Sequence, residues 1–291
     1  MAAFYAWLAG LAHAGLIPAP FEYPFITRGA IAVLIIAPLL GGLSHLVVAR
    51  RLAFFSAALG QAALTGLTLG IVLGEPLNSP LAGITGFCLL CAVAMVYVKR
   101  RATLPPDALV GVFMALTLGL GICLLVAVTK RFNIHQIEAV MFGSVLTVTD
   151  RDLAILLLVA IGVAVAIGRI YNALLSDSLN GSMALARGVN TTLAEYLFVM
   201  LLTFAITVSL KIIGALLVEA MVVVPATCAR NLSRNLADSV VLSVVVALVS
   251  GFAGLAVSTR WQVPTGGAIV LCLSLCFFVT LAIGAATRRL A

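Results

Sequence analysis

Residues 210–236 read LKIIGALLVEAMVVVPATCARNLSRNL, and this stretch decides how the rest of the chain is understood. An apolar run, Ile212 to Val224, meets Pro225, and small residues then lead to Arg230 and Arg234. Proline removes a helical hydrogen bond and clashes with the preceding turn. The pattern therefore predicts a helix that leaves a membrane at Pro225 and turns along its surface. One acid, Glu219, lies within the apolar run, where a carboxylate is costly and marks function by default.

The remaining sequence is the setting such a helix requires. Of 291 residues, 63% are hydrophobic and 9% are charged, with mean hydropathy +1.24. A soluble domain carries about a quarter charged residues, so the composition predicts an all-α polytopic membrane protein. Apolar runs of about 20 residues, the length that crosses a hydrocarbon core, recur throughout. Strict alternation of apolar and polar residues is absent, which excludes a β-barrel. Residues 1–27 lack a basic start and are interrupted by His13, Glu22 and prolines. They are expected to form an interfacial segment with Tyr5, Trp7 and Tyr23 at headgroup level. Residues 28–291 are expected to form one transmembrane domain.

The net charge of +7 does not signal nucleic-acid binding, because the basic residues flank the apolar runs. The six cysteines fall mostly within those runs and read as packing residues rather than a disulfide framework. Cys88 and Cys91 form a C-x-x-C inside a span, without a second pair.

Eight or nine spans are expected. They cover about Arg28 to Ala49, Leu52 to Leu73, Leu81 to Val98, Asp107 to Val128, Leu153 to Ile170, Thr192 to Leu210, Ile212 to Val224, Val240 to Val257 and Gly266 to Ala286. Gly66 and Gly70 form a GxxxG pair in the second, which permits close helix approach. The seventh run is short for a full crossing. Nine crossings place 11 of the 17 basic residues on one side, and the positive-inside bias makes that side cytoplasmic. Residues 225–236 and the polar loop Ser176 to Asn190 then face the cytoplasm.

No G-x-x-x-x-G-K-[ST] occurs, so the chain carries no P-loop for ATP. Of the ionisable residues, only Glu219 and His45 sit well inside apolar runs, too few for a convincing proton or sodium relay. An ion-coupled secondary transporter is thereby disfavoured.

The stretch now carries a resemblance. Ile213-Gly214, Leu216-Leu217-Val218 and Pro225-Ala226-Thr227-Cys228-Ala229-Arg230 resemble the signature of ABC-3 family permeases, the importers of zinc, manganese and iron. The segments FEYPF at 21–25, RRLAFFSAALGQAALTG at 50–66, MFGSVLTVTDRDL at 141–153 and VPTG at 263–266 resemble other parts of that family, in order. The resemblance implies a multi-pass permease of the bacterial plasma membrane with the metal/cobalamin-importer fold, not itself an enzyme. It also implies a second permease copy, a separate ATPase subunit that hydrolyses ATP, and an extracytoplasmic substrate-binding protein. Residues 225–236 become the coupling helix, with Pro225, Ala226, Thr227, Ala229, Arg230 and Arg234 meeting the ATPase. No cofactor is expected to be held permanently; zinc, manganese or iron is cargo.

One departure stands out. Family members usually carry aspartate and histidine at the positions of Ala57 and Gln61. Alanine offers no ligand atom, and an amide is a poor zinc ligand beside imidazole or carboxylate. Glu219 is then the expected metal-contacting residue, with Gln61 and His45 as further pathway candidates. A metal chelate or cobalamin-like substrate is the alternative, since a bulky cargo needs room more than ligands.

Overall fold

The computed structural model describes residues 24–75, 81–102, 105–129, 148–179, 190–233 and 235–290. Nine helices run through them: α1 Pro24–Ala49, α2 Phe55–Val72, α3 Leu81–Arg101, α4 Pro106–Thr129, α5 Asp150–Leu179, α6 Thr191–Ile213, α7 Ala215–Leu232, α8 Leu236–Trp261 and α9 Thr265–Leu290. Each contains a stretch long and apolar enough to cross a membrane, and no strand occurs among the described residues. Within lipid a helix is the one open-chain conformation that satisfies its own backbone polar groups.

α1, α2 and α6 form the interior, with two thirds or more of their spanning residues buried. α2 packs against α3 and α4, α1 against α8 and α7, and α6 against α5 and α3. α7 also lies along α8 and α9. α4, α5 and α9 expose most of their side chains, as a lipid-facing periphery should.

Glycine sets the closest approach. A Cβ added at Gly83 would lie 2.6 Å from the Cα of Gly70 and 2.7 Å from the carbonyl oxygen of Gly66. The GxxxG pair of α2 therefore seats a third glycine from α3, which lets the two backbones touch. Hydroxyls add ties between helices: Thr65 Oγ1 donates to the Thr117 carbonyl at 2.6 Å, and Ser243 Oγ to that of Gly41 at 2.8 Å. Cys88 and Cys91 are buried, and the Cys88 thiol faces the Leu59 carbonyl at 3.6 Å, which agrees with a packing role.

The ion pairs test the alternation of spans. Arg28 meets Asp150 at 2.8 Å and Lys211 meets Asp152 at 2.9 Å, all four at the end expected outside. Lys99 and Arg100 meet Glu195 at 2.8 Å, all at the opposite end. Each of these pairs joins residues of one end only, in keeping with nine up-and-down crossings.

Three boundaries differ from expectation. α5 continues to Leu179, past the expected end at Ile170 and into the start of the expected polar loop. α6 runs past Lys211 to Ile213, because Lys211 is paired with Asp152 and need not escape the bundle. α7 does not stop at Pro225 but continues through it to Leu232, and no separate helix follows before α8. The proline costs one hydrogen bond, that of the Met221 carbonyl, and packing on both sides holds the helix together. The interfacial segment lies outside the described residues except for its last turn, which opens α1.

The Gly83 contact is testable against a neighbour. Gly83→Leu forces a side chain into backbone that cannot yield and is expected to cost about 3 kcal/mol. Gly86→Leu, one turn away and with nothing within 4 Å of its added Cβ, is expected to be neutral. Melting of the two purified variants in detergent checks the difference.

Candidate functional site

α6 and α7 are joined through one residue. Gly214 has φ +83° and ψ 164°, a region open essentially to glycine alone. Its N–H donates to the Leu210 carbonyl at 2.8 Å, closing α6, and its own carbonyl accepts from Val218 N–H at 3.2 Å, opening α7. The outer end of this junction is anchored. Lys211 holds Asp152, and Asp152 also accepts from the Thr149 hydroxyl at 2.6 Å at the start of α5. The Asp152 N–H faces the Thr149 oxygen in return at 3.3 Å, a reciprocal cap of the helix N-terminus.

From this junction α7 extends 18 residues, about 27 Å of helix. Leu216, Glu219 and Arg230 are exposed, and Val223 and Thr227 are half-buried. Their spacing of three to four residues puts them on one face, which runs the length of the helix. The opposite face, including Leu217, Met221, Pro225, Cys228 and Ala229, is buried. Within one chain, then, α7 presents an apolar stripe with a carboxylate near one end and a guanidinium at the other.

Glu219 makes no hydrogen bond or ion pair among the described residues. Gln61 is half-buried on α2 and likewise has no hydrogen-bond partner among them. The two lie near one contact: Gly60 would carry a Cβ 3.5 Å from that of Ala215, Gln61 follows Gly60, and Glu219 is one turn beyond Ala215. Ala57 is buried on the same helix, 7% exposed.

His45 lies elsewhere. It is buried between α1 and α8, with Nδ1 3.3 Å from the Ser239 hydroxyl and Nε2 unpartnered. Its neighbouring charge is Arg230, which is 11 residues or about 16 Å along α7 from Glu219. The three pathway candidates therefore do not converge, and the described residues contain no cluster of three or more His, Cys, Asp or Glu able to hold a metal.

The residues expected to meet an ATPase divide by face. Arg230 is exposed and Thr227 half-buried, its hydroxyl donating to the Val224 carbonyl at 2.7 Å. Pro225, Ala226 and Ala229 are buried and face the bundle, contrary to a reading in which the alanines seat the helix on a partner. The carbonyl of Asn231 lies 2.8 Å from where a Cβ at Gly284 would stand, so the end of α7 is pressed onto α9. Arg234 lies outside the described residues.

The Glu195 network was not legible as a site. Lys99, Arg100 and Glu195 tie α3 to α6, and Arg100 also donates to Thr192 Oγ1 at 2.7 Å. The signal was present in the charge assignment, since all three residues fall at the ends expected to be cytoplasmic. Arg50 reaches the Leu174 carbonyl at 3.1 Å and lies 5.6 Å from the centre of the Phe198 ring.

Comparison with known proteins agrees with the span order. The family model described as "ABC 3 transport family" matches residues 22–284. The high-affinity zinc uptake system membrane protein ZnuB of Haemophilus influenzae is 27% identical over 262 residues, covering 89% of this chain and 96% of that protein. The manganese import system permease protein ScaB of Streptococcus gordonii is 27% identical over 269 residues, covering 92% and 95%. Among solved structures, PsaBC from Streptococcus pneumoniae in complex with Fab shares the fold, with TM-score 0.78 and 24% identity over 96% of this chain and 95% of that one.

The one-residue junction predicts a sharp substitution effect. Gly214→Ala places a Cβ in a conformation costing about 1–3 kcal/mol. It is expected to lower the melting temperature, whereas Gly267→Ala, whose Cβ meets open space, is expected to leave it unchanged.

Proposed function

The chain belongs to the ABC 3 transport family, and from that premise we propose that it is the transmembrane permease subunit of an ATP-driven importer of divalent metal cations, zinc foremost, then manganese or iron. The observation that carries this reading is the match over residues 22–284, together with relatives named for zinc uptake and manganese import that align over nearly their whole length. In this reading the permease sits in the bacterial plasma membrane, and a binding protein outside delivers the cation to the end carrying Arg28, Asp150 and Lys211. Two permease copies face one another across the exposed stripe of α7. A separate ATPase subunit hydrolyses ATP below the end that carries Arg50, Lys99 and Arg230.

Glu219 is the carboxylate the cation meets on this path, with Gln61 one residue from the Gly60–Ala215 contact of α2 and α7 as a further candidate. A single carboxylate and an amide per copy bind a divalent ion weakly. Weak binding suits a conduit, which must release what it accepts. Ala57 contributes space rather than a ligand. His45, packed behind Arg230 on the α1–α8 seam, holds the cytoplasmic end of α7 in place and does not itself meet the cargo. Arg230 and Arg234 contact acids of the ATPase, while Pro225, Ala226 and Ala229 bind that end of α7 to the bundle and Thr227 stiffens its last turns. Motion of the ATPase thus reaches the stripe through one continuous helix instead of a separate coupling helix. The absence of a strong ligand at Ala57 and Gln61 favours a metal chelate as the second reading.

Reconstitution with the ATPase tests this function. ATP hydrolysis is expected to rise when the binding protein is loaded with zinc. Glu219→Gln is expected to lower transport by at least the roughly tenfold contributed by even an outer partner of a metal ligand. Arg230→Glu is expected to abolish co-purification of the ATPase. A lack of stimulation by zinc, manganese and iron alike, with stimulation by a chelate, would replace the first reading with the second.

A further inference from the structure

We propose that the outer end of the α8–α9 seam is a phospholipid site, in which one acyl chain fills an apolar groove and the lipid phosphate rests on Arg260. The groove has a volume of about 510 Å³ and is lined almost wholly by apolar atoms, among them those of Trp261, Pro264, Gly267, Leu271, Cys272 and Leu275. Its closed end is rigid. The turn between the helices is fixed by Ser258 Oγ, which donates to the Val263 carbonyl at 2.7 Å, and by the Ala268 N–H, which donates to that of Pro264 at 3.1 Å. Gln262 occupies the left-handed region at φ 54°, completing the reversal. The cleft is therefore built into the fold.

Depth selects the occupant. The lining runs along α9 from the turn to Leu275, about 15 Å below Thr265. That is half of a hydrocarbon core of about 30 Å, the reach of one leaflet's acyl chains. Leu271 and Leu275 are 72% and 66% exposed, so the groove opens sideways, toward lipid. Trp261 stands at its mouth, at the level where indole rings meet headgroups.

Charge gives the second argument. Two other cations at this end are neutralised within the chain, Arg28 by Asp150 and Lys211 by Asp152. Arg260 is exposed and has no ion pair among the described residues. Its place in the last turn of α8 suits the helix dipole, but that partial charge does not neutralise it. A phosphate above the groove does, and a headgroup without an amine of its own competes least for the guanidinium. An anionic phospholipid is thus preferred.

Tryptophan fluorescence tests the proposal. The chain has two tryptophans, so Trp7→Phe leaves Trp261 as the sole reporter. The full-length protein is placed in phosphatidylcholine nanodiscs containing rising fractions of dibrominated phosphatidylglycerol, whose bromines quench indole on contact. Quenching is expected to saturate at low mole fraction. Arg260→Gln is expected to raise the half-saturating fraction about fivefold. Gly267→Leu, at a groove-lining position where an added Cβ meets nothing within 4 Å, is expected to remove the saturable component while the helical signal and elution volume are unchanged. Quenching that tracks the bulk mole fraction and ignores both substitutions would overturn the proposal in favour of unspecific boundary lipid. Absent quenching, with Cys272 cross-linking between copies, would overturn it in favour of a permease–permease contact.

Discussion

The reversal at Gly214 is the constraint on which the functional half of the molecule depends. Two membrane helices meet there through one residue, where connections between bundled helices usually take 2–8. A junction this short fixes the direction in which α7 leaves α6, because no loop remains to absorb error. It requires φ +83°, which glycine supplies at little steric cost. The Lys211–Asp152 pair then ties the end of α6 to the start of α5. With its outer end held in this way, α7 lies against α1, α8 and α9 along its length and leaves one face uncovered. The stripe of Leu216, Glu219, Val223, Thr227 and Arg230 is a consequence of that placement.

The charges follow a related logic. Acids and bases pair at the two ends of the bundle, where they are partly exposed, and the interior is joined by glycines and by hydroxyls that bond carbonyls. Such hydroxyl ties contribute about 0.6 kcal/mol each in membrane interiors, less than close packing does. Ion pairs at the ends orient the spans, whereas the glycine contacts set how near they come.

The span order was legible because it rests on hydropathy, which acts at the level of whole segments. The helix ends were legible only where nothing compensated the local signal. Lys211 reads as the end of a span, yet Asp152 lies 59 positions earlier and neutralises it. Pro225 reads as a stop, yet packing on α9 and α1 carries the helix two further turns. Ala226 and Ala229 read as a surface for a partner because small residues permit close approach, but sequence does not say which neighbour approaches; here it is the bundle itself. Of the candidate site, Glu219 stood out as an acid within an apolar run, but its exposure depends on which face of α7 the bundle covers. The separation of His45 from Glu219 was not legible either, because it depends on which helices α1 and α7 each face.

The isolation of Glu219 is the strongest structural argument for an assembly larger than one chain. A carboxylate in a membrane segment costs about 3 kcal/mol when it faces hydrocarbon. Nothing within the described chain offsets that cost, since Glu219 has no hydrogen-bond or ion-pair partner among the described residues. Leu216, which is exposed, and Val223, which is half-buried, flank it on this face, so that part of the stripe is unsuited to open water as well. In the proposed pairing of two permease copies, an identical or similar face related by two-fold symmetry would cover this stripe. Like charges brought together repel until a cation lies between them. In that proposed pair, a divalent ion would meet one carboxylate from each copy.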